Sequence, residues 1–514
     1  MQSLKELALY TKKSLTIKDT YAIKENLSSI GLSERILVET AGVALAENIG
    51  RGHKGKKLLF VCGIGGKGAI GLSAARRMLQ RHEVNTVFIG SRDSIKNQST
   101  KLNFDLLNDI VSIKCIDDKY ESWLPKELAR ADVVIDAIVG CGMRGRLAQP
   151  IPSIISLINS SGAYKISIDL PSGINADTGM PSSKYIKADQ TLTIHKPKVG
   201  IASSGIVGYT VVVDIGVPIS AEIFAGPGDI SLATEPRRLD SSKYTNGAVL
   251  VVGGGRTYHG APLLAAFAAN AAISALRTGA GYVTVAVPKS ASVPVKSLSK
   301  TLVVKELEWE GSAASAASSI SSIKHDAMVI GPGLDEGRAS EEIVSKIIKQ
   351  ERMKGNPVVV DATAIGIMGK HRGMFGDNLI LTPHYGEFKK LSGTDVSDCG
   401  MVETAKKAAN FAKANGFTLV LKGHSTIITN GDRLKINRAS TMALAKMGSG
   451  DVLSGIIAAY AAVHRDPFES SVAGVYAHSR IGDLLYASKG YHITAEDVID
   501  TIPDVLRLFD SMSG

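Results

Sequence analysis

Gly448-Ser449-Gly450-Asp451 is followed at once by the apolar segment 452–463 (VLSGIIAAYAAV). This segment is long enough for a buried helix, and no proline interrupts it. The N–H groups at the start of a helix lack intrahelical partners, and with the positive end of the helix dipole they bind anions. Glycine allows the backbone to approach such a ligand because it has no Cβ atom. The stretch therefore predicts a helix whose first turn binds a phosphate group.

Asp451 follows this turn at a position where a carboxylate can take a proton from a hydroxyl that attacks a phosphate. Phosphoryl transfer requires little from a protein beyond positioning, charge neutralisation and such a base. Taken alone, a Gly-Ser-Gly-Asp tetrapeptide is more often an ordinary turn with an aspartate cap. The loops that accompany it in the second half of the chain favour the phosphate site.

The second half alternates strands and helices from Lys243 onward. The predicted strands cover residues 248–252, 282–287, 326–330, 357–360, 379–381 and 418–421, and a long alanine-rich helix ends at Leu276. Small or polar clusters follow these strands at 253–255, 331–333, 361–362, 382–387 and 422–426. Since ligands of such sheets bind beyond the carboxyl ends of the strands, we expect the clusters to converge with the Asp451 turn.

The composition indicates a soluble globular protein. A chain of 514 residues allows about two to four domains, and 44% hydrophobic with 21% charged residues is ordinary for that class. The start has no cleavable signal pattern, and the longest apolar run, 261–276, is too short and too mild to span a bilayer. The four cysteines are scattered without a metal-ligand or disulfide spacing, so a reducing, cytoplasmic location is expected.

The net charge of +10 is spread along the chain. No Lys/Arg block with interleaved aromatic residues is present, and aromatic residues make up only 5%, so nucleic-acid binding is not indicated. The diffuse basic excess is equally consistent with a polyanionic small molecule as ligand and with the absence of any charged partner.

The first half predicts another α/β domain. Two helices are expected within about the first 50 residues, the second at 33–49, and the stretch 57–76 then has the pattern of a buried strand, a glycine-dense turn and a helix. Further strands are predicted at 83–90, 131–139 and 164–170, with helices between them, which gives a doubly wound, mostly parallel sheet. The loops 136–142 and 169–173 should meet the glycine turn beyond the strand ends.

Four segments of this half resemble the signature of NAD(P)H-hydrate epimerases, over about residues 15–220. They are 166–173 (ISIDLPSG) with 177–179 (DTG) behind it, 196–200 (KPKVG) and 213–218 (VDIGVP). Members of that family interconvert the two epimers of the hydrated nicotinamide ring at C6. The resemblance implies that Asp169 is the catalytic acid/base and contacts the substrate with Gly140 and Gly142, and that Asp136 and Ser172 bind potassium.

The glycine turn departs from the pattern of that family. The family has two asparagines, two glycines and an aspartate where this chain has GKGAI at 66–70, so Lys67 replaces a potassium ligand and Ile70 replaces the aspartate. The ammonium of Lys67 could occupy the place of the cation and pair with Asp136. The alternative is a decayed site in a domain that only scaffolds the other half, because Ile70 cannot make the hydrogen bonds of an aspartate.

The second half resembles the ribokinase-like superfamily and, within it, ADP- or ATP-dependent NAD(P)H-hydrate dehydratases, over about residues 240–510. The motifs are YHGAP at 258–262, GPGL at 331–334, TPHYGE at 382–387, Lys422-Gly423 with Thr426, and GSGD at 448–451. Lys446 and Met447 stand where this family more often has small residues. Fusion of the two domains is a hallmark of the bifunctional NAD(P)H-hydrate repair enzymes. The expected fold is two doubly wound three-layer α/β domains, a Rossmann-like epimerase type at 1–222 and a ribokinase-like type at 235–514.

The resemblance also implies the roles of individual residues. Asp451 is the catalytic base for a nucleotide-driven dehydration of the S hydrate, with ADP or ATP as phosphoryl donor and Mg²⁺, and ADP is the use more typical of prokaryotic members. The substrates are the hydrates of NADH and NADPH (NADHX and NADPHX), and relatives are usually homo-oligomers. Hydrate-binding residues are Ala261, Gly333 and His384, and nucleotide-binding residues are Lys422, Gly423, His424, Ser425, Thr426, Gly448, Ser449 and Gly450.

Several questions stay open at this point. A small-molecule kinase of the same superfamily, such as a vitamin-precursor kinase with a non-catalytic first domain, would share the Gly-Ser-Gly-Asp turn, although the 382–387 motif and the fused first domain favour the dehydratase. Glu387 is expected either to orient His384 or to cap a helix that begins at Phe388. The residues do not decide whether ADP or ATP is the phosphoryl donor, nor whether NADHX or NADPHX is the preferred substrate.

Overall fold

The computed structural model describes residues 4–142, 145–202, 205–255, 261–307, 313–438, 441–510 and 512–513, with the backbone alone at 261–265 and 512–513. The chain forms two compact units: an N-terminal unit, Lys12–Pro218, and a C-terminal unit of residues 219–513 together with 4–11. This division differs from the expected one, which assigned residues 1–222 to the first domain. The reason is that Leu7 and Tyr10 are buried in a core cluster of the C-terminal unit.

The N-terminal unit contains seven strands and seven α-helices among its described residues. The strands are β1 (Lys57–Gly63), β2 (Glu83–Ile89), β3 (Lys114–Cys115), β4 (Val133–Ala137), β5 (Tyr164–Ile168), β6 (Gln190–Ile194) and β7 (Tyr209–Val213). The helices are α1 (Ile17–Ser29), α2 (Glu34–Gly52), α3 (Gly66–Met78), α4 (Gln98–Asn108), α5 (Tyr120–Arg130), α6 (Ile151–Ser160) and α7 (Val199–Ala202), and Arg92–Ser94 is a 3₁₀ turn.

All seven strands pair in parallel in the order β3-β2-β1-β4-β5-β6-β7, which confirms the predicted doubly wound sheet. Alternate residues of β1 enter opposite core clusters: Phe60 and Cys62 lie in one, Leu59 and Val61 in the other. The sheet is therefore covered on both faces, as its continuous apolar strands require. The strand order reverses between β1 and β4, and that position is where such sheets bind ligands.

Helix α3 lies very close to this reversal point. A Cβ atom at Gly68 would lie 1.8 Å from the carbonyl oxygen of Gly63, and one at Gly71 would lie 2.4 Å from Cβ of Ala137. Only glycine fits at these two positions, so the glycine-dense turn brings the first turn of α3 directly against the ends of β1 and β4.

The C-terminal unit is larger. Its helices are α8 (Ser220–Ile223), α9 (Pro227–Ala233), α10 (Ala261–Thr278), α11 (Lys289–Leu298), α12 (Ala313–Ser321), α13 (Arg338–Lys354), α14 (Thr363–Lys370), α15 (Tyr385–Ser392), α16 (Met401–Asn415), α17 (Ser449–His464), α18 (Pro467–Lys489) and α19 (Ala495–Leu506). Its strands are β8 (Arg237–Arg238), β9 (Ala248–Val252), β10 (Tyr282–Pro288), β11 (Val303–Leu307), β12 (Ala327–Ile330), β13 (Val358–Val360), β14 (Leu379–Leu381), β15 (Thr418–Leu421), β16 (Ser425–Thr429), β17 (Leu434–Arg438) and β18 (Met512–Ser513). Leu4–Tyr10, Arg372–Met374 and Arg507–Phe509 are 3₁₀ helices.

The main sheet of this unit has nine strands in the order β11-β10-β9-β12-β13-β14-β15-β16-β17. Pairing is parallel up to β15, and β16 and β17 are added antiparallel. The predicted parallel strands are confirmed. Ser425 and Thr426, expected in the polar cluster 422–426, instead begin β16. Core clusters cover both faces, with Leu250 and Val252 of β9 in one and Val249 and Val251 in the other.

Helix α17 is buried against α10. A Cβ atom at Gly455 would lie 2.0 Å from the carbonyl oxygen of Ala271, so the two helices approach closely at a small residue. The predicted buried helix after the Gly-Ser-Gly-Asp turn is confirmed. Within the described part of the chain, no helix combines the length and the apolar character that crossing a membrane requires.

Candidate active sites

The first turn of α17 is held in place by Gly448. This residue caps the helix with φ of 85°, a left-handed conformation that glycine adopts without strain. A side chain there would also collide, because its Cβ would lie 3.0 Å from Cβ of Ala495 and 3.1 Å from Nδ2 of Asn270. The first turn of the helix is thus fixed in one place by packing.

The ammonium of Lys422 lies beside this turn. A Cβ atom at Gly450 would be 3.5 Å from Nζ of Lys422, so the absence of a side chain leaves the space between them open. Lys422 follows β15, and its side chain is 24% exposed. A helix N-terminus and an ammonium group that face the same space form a strong anion site. The structure therefore brings together two elements that were assigned to nucleotide binding.

Asp361, at the end of β13, anchors Lys422. Its Oδ1 accepts hydrogen bonds from Lys422 Nζ at 3.0 Å and Thr382 Oγ1 at 2.7 Å, and its Oδ2 accepts one from Ser454 Oγ at 2.6 Å. Burial alone raises the pKa of Asp361, but the charge of Lys422 and the hydrogen bonds from Ser454 and Thr382 offset this and hold the pKa below its usual value. Asp361 is therefore an ionised carboxylate beneath the anion site.

Asp451 has the opposite electrostatic environment. Burial, and then the negative charge of Asp361, raise the pKa of Asp451 to about 8, although Lys422 acts in the opposite direction. Two carboxylates near one ammonium thus have pKa values on opposite sides of their usual range, a pattern that separates a permanently charged group from one that exchanges protons. A carboxyl that titrates near neutral pH is suited to be a general base.

The 382–387 motif caps a helix. His384 is the N-cap of α15, and its Nδ1 accepts hydrogen bonds from the N–H groups of Gly386 at 3.0 Å and Glu387 at 3.2 Å. Glu387 accepts in return from the N–H of His384 at 2.9 Å. The helix therefore begins at Tyr385, and the expectation of a start at Phe388 was wrong. Because Nδ1 is an acceptor, the neutral ring carries its proton on Nε2, which lies 3.6 Å from Oε2 of Glu387. Glu387 therefore both caps the helix and faces the ring of His384.

His384 is held next to Lys422, since the N–H of Lys422 donates to the carbonyl oxygen of Pro383 at 2.8 Å. Gly423 and His424 form the exposed turn between β15 and β16, while Ser425 and Thr426 begin β16. The remaining residues assigned to this site are placed less fully: Gly333 has φ of 68° in the loop after β12, Ala261 begins α10 with its side chain outside the description, and 258–260 lie outside the described residues.

His478 is a site residue that the sequence did not indicate. It lies on α18, and its Nε2 is 3.0 Å from Oγ of Ser449. Burial, and then the charge of Lys422, lower the pKa of His478 to about 4, so the ring is neutral. A single histidine in a helix carries no distinctive pattern, and only the packing of α18 against α17 reveals that it holds the first turn of α17.

The N-terminal unit contains a cavity of about 550 Å³ at the reversal point of its sheet. Among its lining residues are the glycine turn, Gly140, Gly142 and Asp169, which the resemblance assigns to the substrate. Ile70 also contributes to the wall. The loops predicted to converge beyond the strand ends do so, and the volume is typical of a small-molecule site.

Asp169 is paired with a buried lysine. Its Oδ1 accepts from Lys198 Nζ at 2.7 Å and from the N–H of Ile194 at 3.1 Å, and the side chain of Lys198 is only 2% exposed. Burial alone raises the pKa of Asp169, but Lys198 more than offsets this and the pKa lies below its usual value. Lys198, present in the KPKVG segment but assigned no role there, is thus a site residue. The carboxylate is ionised and available as a proton acceptor.

Asp136 and Ser172, assigned to potassium, bind an ammonium group instead. Nζ of Lys67 lies 2.9 Å from Oδ2 of Asp136 and 3.1 Å from Oγ of Ser172. The residues present therefore do not fit a potassium ion at this place, because Lys67 already fills it. Among the described residues, no group of three or more histidine, cysteine, aspartate or glutamate side chains could hold a metal ion.

Two doubly wound sheets, each with charged residues at the carboxyl edge of its strands, define the chain as a two-domain α/β enzyme. The family model described as NAD(P)H-hydrate dehydratase matches residues 249–504, and the one described as YjeF-related protein N-terminus matches residues 34–200. The bifunctional NAD(P)H-hydrate repair enzyme Nnr of Hyperthermus butylicus is 35% identical over 96% of this chain and 92% of its own length. The chain belongs to the family of bifunctional NAD(P)H-hydrate repair enzymes.

A second curated relative agrees with this assignment, and a solved structure is similar to part of the chain. The enzyme of the same name from Archaeoglobus fulgidus is 35% identical over 96% of this chain and 98% of its own. The ADP/ATP-dependent NAD(P)H-hydrate dehydratase from Bacillus subtilis, solved with ATP and Mg²⁺, has a TM-score of 0.48 and 24% identity and covers 56% of this chain and 99% of that one.

Proposed function

We propose that the chain repairs hydrated nicotinamide nucleotides. The C-terminal unit dehydrates the S epimer of NADHX or NADPHX at the expense of ADP or ATP, with ADP preferred, and the N-terminal unit interconverts the R and S epimers. The observation that carries the proposal is the surroundings of Asp451. This carboxyl, whose pKa is raised to about 8, lies in the first turn of α17, and the ammonium of Lys422 lies beside that turn. Family membership supports the choice of substrate.

The proposed dehydration begins with proton transfer to Asp451. Its carboxylate takes the proton of the C6 hydroxyl, the oxygen attacks the terminal phosphorus of the nucleotide, and the bond from that phosphorus to the bridging oxygen breaks. The C6–O bond then breaks with departure of inorganic phosphate, driven by the electron pair of the ring nitrogen. Loss of a proton from C5 restores the double bond and yields NADH or NADPH.

The other residues of this site stabilise charge. The N–H groups at Gly448–Gly450 and the ammonium of Lys422 neutralise the phosphoryl group while it is transferred. Asp361 positions Lys422, and Nε2 of His384 is available to the hydrate. Mg²⁺ bound with the nucleotide would supply charge neutralisation at its phosphates, a mode that needs few protein ligands.

In the N-terminal unit, Asp169 is the proposed acid/base for epimerisation at C6. Its support is the ionised state that Lys198 maintains and its place on the cavity wall together with Gly140 and Gly142. We further propose a cytoplasmic homo-oligomer, which the resemblance favours; the four cysteines carry no disulfide.

Phosphorus NMR of a reaction of the chain with hydrated NADH, ADP and Mg²⁺ tests the proposal. We expect inorganic phosphate to form in step with the return of reduced-nicotinamide absorbance, and the Asp451→Asn variant to form neither. A stable phosphate monoester without inorganic phosphate would assign the chain to the small-molecule kinases instead.

A further inference from the structure

Lys67 is among the most enclosed charged groups in the N-terminal unit. Its side chain is 4% exposed and that of its partner Asp136 is 1% exposed. The ammonium has four oxygen neighbours: Oδ2 of Asp136 at 2.9 Å, the carbonyl of Leu170 at 2.7 Å, Oγ of Ser172 at 3.1 Å and the carbonyl of Val139 at 3.3 Å. These atoms come from two stretches, the end of β4 with the loop after it and the loop after β5, so the group joins the parts of the sheet edge that form the cavity.

The oxygen cage is complete around a single positive charge. An ammonium group has three N–H donors, and four oxygens at hydrogen-bond distance satisfy all of them. Asp136 supplies the neutralising charge, and its remaining capacity is filled by Ser167 Oγ at 2.9 Å and the N–H groups of Ser172 at 2.8 Å and Ile138 at 3.1 Å. A buried charge is tolerated only when it is paired and hydrogen-bonded in this way.

The aliphatic part of the Lys67 side chain packs along Gly140. A Cβ atom at Gly140 would lie 3.2 Å from Cβ of Lys67 and 3.7 Å from its Cδ, so the lysine runs along the bare backbone of that glycine. Gly140 and Lys67 both line the cavity that contains Asp169. The lysine is therefore fixed by packing as well as by charge.

We propose that Lys67 is a tethered cation that takes the place of potassium, so that the N-terminal unit neither binds nor requires a monovalent metal ion. The cage supplies carboxylate, hydroxyl and carbonyl oxygens, which are the ligands of a hard cation, but the ammonium occupies its centre. The claim about cation binding stands on this geometry, and only its consequence for epimerisation rests on the proposed function.

The test compares potassium chloride with tetramethylammonium chloride at equal ionic strength, using the whole chain. Thermal melting is combined with hydrogen exchange of peptides from 133–142, which report on the cage directly. The variants are Lys67→Asn and, as a matched control with the same change of charge, Lys57→Asn, whose ion pair with Glu83 is exposed on the same unit. Crystals of the wild type in rubidium chloride provide an independent reading through anomalous scattering.

We expect wild type and Lys57→Asn to melt and exchange alike in both salts, and no rubidium peak near Asp136. Lys67→Asn leaves a buried carboxylate unpaired, so its melting temperature should fall by about 10 °C without potassium and recover in potassium, with matching protection of 133–142. A potassium-specific gain in the wild type, a rubidium peak at Asp136, or a folded Lys67→Asn indifferent to potassium would overturn the proposal. If Lys67→Asn does not fold, the wild-type measurements decide alone.

These readouts do not involve catalysis. A chain that fails to epimerise but shows the expected salt behaviour would refute the proposed epimerase function and leave the tethered cation in place. Epimerisation that increases with potassium would support the proposed epimerase function and refute the tethered cation.

Discussion

Replacing Asp451 with asparagine should stabilise the C-terminal unit while it abolishes dehydration. The pKa of Asp451 is raised from its usual 3.8 to about 8 by burial and by Asp361, so the folded chain holds a proton there that the unfolded chain releases. Stability is therefore lost as pH rises between these two values. At pH 8 the difference corresponds to at most about 5 kcal/mol, and asparagine, which cannot ionise, removes this cost.

Structural relaxation and entry of water partly solvate the ionised carboxylate and so lower its cost. We therefore expect Asp451→Asn to gain about 2–4 kcal/mol in the free energy of unfolding over wild type at pH 8, and nothing near pH 4. Hydrogen exchange of peptides from Ser449–His464, measured at both pH values, gives the free energy of opening of α17 itself. Asp432→Asn is the matched control, because the Asp432 side chain is 75% exposed in its ion pair with Lys413 and should change stability little.

The same variant should lose at least about two orders of magnitude in dehydration rate, the usual effect of removing a general base. Nucleotide affinity should change far less, because Lys422 and the first turn of α17 remain. Two results would refute the assignment of Asp451 as a general base whose pKa is raised by burial and by Asp361. One is equal stability of Asp451→Asn and wild type at pH 8, and the other is a dehydration rate that stays close to wild type.

Four further variants test other site residues by steady-state kinetics. The wild-type kcat/KM for dehydration should fall as pH drops through about 8, and Asp361→Asn should move this midpoint to lower pH because the negative charge that raises the pKa of Asp451 is gone. Lys422→Met should lower kcat/KM by about 100-fold, and an unchanged value would remove Lys422 from the phosphate site. Asp169→Asn should abolish epimerisation and leave dehydration of the S epimer intact. Lys198→Met should raise the pKa of Asp169, so epimerisation would be lost at a higher pH than in wild type as the solution is acidified.

Local patterns predicted much of the fold. Continuous apolar runs of four to seven residues identified the central strands, because strands covered on both faces have no polar side. The Gly-Ser-Gly-Asp turn predicted the start of α17 because its small residues and the uninterrupted apolar run after it are both local features. The three-layer arrangement then followed from the alternation of strands and helices.

What the sequence did not reveal depends on contacts between distant parts of the chain. The influence of Asp361 on Asp451 joins residues 90 positions apart, and the hold of His478 on Ser449 joins two helices. The start of α15 was misplaced because histidine is not among the usual N-cap residues, although its Nδ1 accepts the same two N–H groups. Residues 4–11 carry no sign that they pack in the C-terminal unit, since a short apolar turn fits many cores.

The two proposed activities are tested most directly by the amount of reduced nucleotide recovered from a defined mixture of hydrate epimers. An equal mixture of R and S NADHX, given excess ADP and Mg²⁺, should return fully to NADH in one continuous enzymatic phase, because the N-terminal unit supplies S epimer as the C-terminal unit consumes it. Asp169→Asn should stop at the S half, and Asp451→Asn should recover nothing. A wild-type reaction that stops at half would contradict the epimerase, and one that recovers no NADH would contradict the whole account.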